Sequence, residues 1–127
     1  MDKHQLEQLQ AQLQNEHDRI LAELKAIATP RRNIEGEWDA SYPKFETEEG
    51  GSHSDHEEQE DEVEEYEERI GAVSSLESQM LAITHALGRI EHGSYGVCET
   101  CHNPIPLDRL RANPAAEYDI EHEPKNI

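Results

Sequence analysis

Two thiols set two residues apart carry the most specific chemistry in this chain: Cys98-Glu99-Thr100-Cys101 contains both of its cysteines. That spacing lets two sulfurs approach one tetrahedral ion from a tight turn. A closed structural zinc site needs two more ligands, typically a second close pair. Asp119 and His122 stand as such a pair, giving C-x2-C-x17-D-x2-H. An imidazole nitrogen is a good zinc ligand, whereas a carboxylate is acceptable but uncommon in a closed site. His102 is a further candidate, awkwardly placed beside Cys101. Two other readings stay open. A lone C-x-x-C also suits a redox dithiol, normally at a helix start in an α/β fold, and this chain shows no strand–helix–strand pattern. A metal-free knuckle held by Tyr95, Ile105, Leu107, Leu110 and Tyr118 is the third. The sequence offers no paired acid and base, no Ser-His-Asp order and no phosphate-cradling glycine loop, so no catalytic residues are expected.

The elements that must position the knuckle are helical. Leu6, Leu13, Ile20 and Ile27 recur every seven residues with Leu9, Leu21 and Leu24 beside them, which predicts a helix from about Asp2 to Ala28. Thr29-Pro30 should end it, because proline disfavours a helical residue before it. Residues 30 to about 54 carry two prolines, Pro30 among them, and three glycines with no consistent period, and read as an irregular connector. Trp38, Tyr42 and Phe45 lie in it, better suited to covering the helices than to forming a partner-binding patch. A second, longer helix is expected from about Asp55 to His92, capped by Ser54 or Asp55 and stopped at Gly93. Its apolar seam would be Val63, Tyr66, Ile70, Val73, Leu76, Met80, Ile83, Leu87 and Ile90, shifting register at Ile70–Val73–Leu76. The fold class is therefore mainly α: a long antiparallel helical hairpin over residues 1–92, then a zinc-finger-like module with a short helix and tail over 93–127.

Charge narrows the partner. The chain has 29 acidic against 11 basic residues, a net charge of −18 in 127 residues, and 34% of its residues are hydrophobic. A thin apolar seam under a wide solvated surface suits that composition better than a thick core. Nucleic-acid affinity rests on clustered Lys and Arg, so direct DNA or RNA binding is disfavoured and a basic protein surface or a cation is the natural complement. No run of about 18 apolar residues is present to span a membrane. The segment MDKHQLEQLQ lacks the apolar stretch of a secretory signal, and the expected location is the cytoplasm.

From Glu62 to His122 the chain resembles the DksA/TraR family of bacterial transcription regulators. The residues that carry the resemblance are A-L-G-R-I-E-H-G-S-Y-G-V-C-E-T-C, Ala86 to Cys101, followed by Pro104-Ile105, Arg109-Leu110, Ala112 and Pro114-Ala115. It implies a helical hairpin on a zinc-finger base, which binds RNA polymerase through the secondary channel without touching DNA. The family's third and fourth cysteines fall on Asp119 and His122, and its glycine after the second cysteine on His102. Its Asp-x-x-Asp-x-Ala tip motif falls, without gaps, on Asp55, Glu58 and Glu60. Glutamate in place of the small alanine implies channel entry with altered or absent promoter control of the family type. The resemblance leaves two rival readings, a family-fold adaptor without polymerase control and a thiol oxidoreductase using Cys98 and Cys101.

Overall fold

A computed structural model of the chain describes residues 1–41 and 56–123, and of residues 56–59 the backbone alone. Tyr42, Phe45, Ser54 and Asp55, and the side chain of Glu58, lie outside the described residues. The elements run α1 (Lys3–Ile27), β1 (Ala28–Pro30), β2 (Trp38–Ala40), α2 (His56–His92) and α3 (Leu107–Ala112). The mainly α class and the short helix beyond the cysteines are as the sequence predicts. Two compact units divide the chain: Met1–Leu21 with Gln79–Ile127, and Ala22–Ser78.

In the first unit, α1 begins on a reciprocal cap. The Asp2 N–H donates to Gln5 Oε1 at 3.0 Å, and the Gln5 N–H donates to Asp2 Oδ1 at 2.7 Å, satisfying two otherwise orphaned donors. Leu9, Leu13 and Ile20 are buried on its inner face. Full burial of such a side chain stabilises by roughly 1.5–3 kcal/mol. Leu6, one of the heptad positions, is only half-buried. The α1 segment meets α3, where Gln12 Nε2 donates to the Arg111 carbonyl at 3.3 Å. On α2, Ile83 and Ala86 are buried, so the small Ala86 takes the interior position expected of Leu87, which is half-buried. The helix ends in a Schellman arrangement: Gly93 adopts φ +77°, its N–H reaches the Ile90 carbonyl at 3.3 Å, and the Ser94 N–H reaches Arg89 at 2.9 Å.

The second unit corrects the reading of an irregular connector from residue 30. Helix α1 stops at Ile27, and Ala28–Pro30 pairs antiparallel with Trp38–Ala40 in the register Ala28↔Ala40, Thr29↔Asp39, Pro30↔Trp38. Three residues per strand leave no room for an alternating pattern, which hid the ribbon from periodicity. A proline without its N–H is tolerated because each strand of a two-stranded ribbon is an edge. Arg31 clamps the ribbon by donating to Asp39 and Glu37, both at 2.9 Å. The Trp38 N–H donates to Glu77 of α2 at 3.0 Å, and Arg69 donates to the Ser41 carbonyl at 3.3 Å. Leu24, Ala28, Val73 and Leu76 supply the buried positions. Val63 and Ile70, both expected in the seam, are instead 49% and 48% exposed. The apolar period continues past the point where anything described covers it.

Candidate metal centre

The knuckle is a turn held by main-chain bonds. The Cys98 N–H donates to the Asn103 carbonyl and the His102 N–H to the Cys98 carbonyl, each at 2.9 Å, and Val97 bridges Pro104. His102 sits there at φ +61°, the left-handed region, where the family pattern has glycine. Gly96 is also left-handed, at φ +84°. The core beneath consists of Tyr95, Cys98, Ile105, Leu110 and Ala116. The Tyr95 hydroxyl donates to the Pro114 carbonyl at 2.7 Å, and burial pushes its pKa up to about 12 against a smaller downward pull from Arg89.

A second segment brings the other two candidate ligands to the turn. The Glu99 N–H donates to the Glu117 carbonyl at 2.9 Å. Arg109 of α3 donates to the Tyr118 carbonyl at 2.9 Å and pairs with Glu123 at 3.0 Å, holding the ends of the stretch that carries Asp119 and His122. Arg89 of α2 reaches Glu117 at 3.2 Å. These arginines and Glu117 are positioning residues that ligand spacing alone does not reveal. The two arginines do fall inside the matching motif.

One ligand atom from each of Cys98, Cys101, Asp119 and His122 lies within 4.8 Å of every other. Cys98 Sγ stands 3.7 Å from His122 Nδ1, and Cys101 Sγ 3.2 Å from Asp119 Oδ2. Sulfur at about 2.3 Å and nitrogen or oxygen at about 2.0–2.2 Å from a tetrahedral zinc would stand about 3.5 Å apart, so these residues fit such an ion. Asp119 Oδ1 accepts the His122 main-chain N–H at 2.9 Å and lies 2.7 Å from His122 Nδ1. One carboxylate oxygen thus fixes His122 through its main-chain N–H, while the other faces the Cys101 thiol. His102 is exposed and outside the cluster.

The protonation pattern follows from these contacts. Burial pushes the Cys98 thiol up, but the N–H groups of Cys101, Asp119 and Thr100 aimed at its sulfur outweigh it and bring the pKa down to about 7. At Cys101 the N–H of Asn103 pulls down, and burial with the adjacent Asp119 carboxylate and Cys98 wins, leaving the thiol raised. Burial disfavours the Asp119 carboxylate, yet hydrogen bonds from Cys101 and His122 hold it below its ordinary value. Its hydrogen bond to Asp119 raises His122. A ready thiolate beside a carboxylate and an imidazole is a donor set for a divalent cation.

The profile of the prokaryotic dksA/traR C4-type zinc finger matches residues 93–118. The RNA polymerase-binding transcription factor DksA of Caulobacter vibrioides is 46% identical over 44 residues, 35% of this chain and 31% of that protein. Among solved structures, transcription factor DksA2 from Pseudomonas aeruginosa matches with a TM-score of 0.69 at 21% identity, covering 95% of this chain and 81% of that one. Residues 93–118 of the chain carry a DksA/TraR-type zinc-finger segment. The uncharacterized protein YteA of Bacillus subtilis is similar along the whole chain, at 27% identity over 128 residues. The chain spans about a third of the DksA relative and 51% of YteA. The zinc-finger match ends one residue before Asp119, and the pair that completes the cluster in this chain is Asp119 and His122 in place of two cysteines.

Of the three tip positions, Glu60 alone has a described side chain, and it is exposed on α2. No helix among the described residues is long and apolar enough to cross a membrane.

Proposed function

We propose that this protein is a non-enzymatic, cytoplasmic regulator of transcription that binds RNA polymerase with an acidic helical tip, and that zinc bound by Cys98, Cys101, Asp119 and His122 fastens its base. The observation that carries the reading is the 46% identity over 44 residues to a protein named for binding RNA polymerase. The net charge of −18 supports a basic protein surface as the partner and opposes direct contact with nucleic acid. Asp55, Glu58 and Glu60 are the tip residues proposed to meet it. The direct test is retention of the purified chain by core RNA polymerase at moderate salt, in competition with a known secondary-channel binder. Absence of competition would refute the reading.

A family-fold adaptor without polymerase control is the second reading. It is favoured by Glu60 at the tip's alanine position. Loss of polymerase binding in Asp55→Ala or Glu58→Ala would count against it. A thiol oxidoreductase is disfavoured by access, because Cys98 is fully buried and an attacking thiolate must reach its substrate. Disulfide-reductase turnover by the purified protein would reinstate it.

A further inference from the structure

Helix α2 carries apolar side chains where its composition is otherwise almost wholly acidic. Val63, Tyr66 and Ile70 follow one another at i, i+3 and i+7, one face of a helix, in the stretch EDEVEEYEERI. Val63 and Ile70 are about half exposed, while Val73, next on the same face, is buried. Beside them the β1–β2 ribbon leaves a groove of about 400 Å³ lined by Trp38, Tyr66, Ile70 and Val73, with Ser74, Glu77 and the paired Arg31 and Asp39 at its polar side. A groove with an exposed Ile70 and an aromatic wall, continued along the helix by the exposed Val63, is the arrangement that takes an apolar anchor from a partner.

The surrounding charge says which partner. By helical spacing, Glu60 and Glu67 border Val63 along one edge of the stripe, and Glu62 neighbours Tyr66 along the other. Arg69 is the one basic residue between Asp61 and Gln79, and it is engaged by Glu65 and the Ser41 carbonyl; Arg31, which lines the groove, is paired with both Glu37 and Asp39. A second copy of this chain would bring another net −18 to the contact, and an anionic membrane or nucleic acid would be repelled in the same way. We infer that the groove between α2 and the ribbon, with the Val63–Ile70 stripe, is a docking site for a protein segment that presents an apolar side chain flanked by Lys or Arg. The inference rests on the polymerase reading for the identity of the partner and adds a second contact, separate from the tip.

The test compares the full chain with Val63→Ser/Ile70→Ser and Glu67→Lys for affinity to immobilised core RNA polymerase, alongside thermal midpoints. The expected result is at least tenfold weaker binding by the double variant at an unchanged midpoint, since both side chains are already half exposed. Glu67→Lys should weaken binding and flatten its salt dependence. If the unsubstituted chain binds and the double variant matches it within threefold, the groove is not a docking site, although the polymerase reading stands. If the unsubstituted chain does not bind, the polymerase reading falls and takes the groove's partner with it. A midpoint lowered by more than five degrees in the double variant would mean that these side chains serve the chain's own packing, which also overturns the inference. Unchanged binding by Glu67→Lys overturns the basic character of the partner.

Discussion

Replacing His102 with glycine should stabilise this protein. His102 holds φ +61° to let its N–H close the turn on the Cys98 carbonyl. A side chain in the left-handed region costs roughly 1–2 kcal/mol. Glycine removes that cost but adds roughly 0.5–1 kcal/mol of unfolded-chain entropy. Strain exceeds entropy here, because the imidazole is exposed and belongs to no ligand cluster that its removal would open. The net expectation is a gain of about 0.5–1 kcal/mol, or about 2–4 °C in the thermal midpoint for a chain of this size. Circular dichroism at 222 nm, with excess zinc and again with a chelator, would measure it. His102→Ala keeps the positive φ and should show no gain. The reasoning fails if His102→Gly lowers the midpoint. A fall seen only with zinc would restore His102 as the ligand that the sequence left possible.

Two further outcomes follow from the same geometry. Asp119→Ala removes a candidate ligand together with the oxygen that accepts the His122 main-chain N–H, and outer-shell losses alone cost about 10–100-fold in metal affinity. Zinc affinity should therefore fall at least about 100-fold in competition with a chromophoric chelator; a change under threefold would exclude Asp119 from the site. The Tyr95 pKa is raised by burial from its ordinary 10.0 to about 12. Its contribution is complete below about pH 10 and is lost as pH rises toward 12, a loss of about 2 kcal/mol at most, since two units correspond to about 2.7 kcal/mol before solvent screening. Tyr95→Phe should lose the hydrogen bond to Pro114, worth about 1 kcal/mol, and abolish that alkaline step in urea unfolding measured from pH 9 to 12.

The residues of the metal centre were legible as types and spacings. C-x2-C with a following D-x2-H named four atoms that the fold brings within 4.8 Å of one another. The helices were legible too, because a repeat of three and four residues states which face is buried without reference to anything distant. What the sequence could not state is where that face stops being covered. Val63 and Ile70 obey the same period as Val73 and Leu76, yet only the second pair is buried. Periodicity records a helix's own geometry, while burial depends on which other segment lies across it. The ribbon escaped for a related reason, since its three paired residues per strand are fixed by Arg31, Glu77 and Arg69. Tertiary packing alone decided the second task of Asp119, whose oxygens separately face Cys101 and His122, and the use of Arg89 and Arg109 as braces. Sequence determined which donors and which helical faces this protein has. Folding determined which of them meet, because a side chain's partners lie across distances in space that spacing along the chain does not encode.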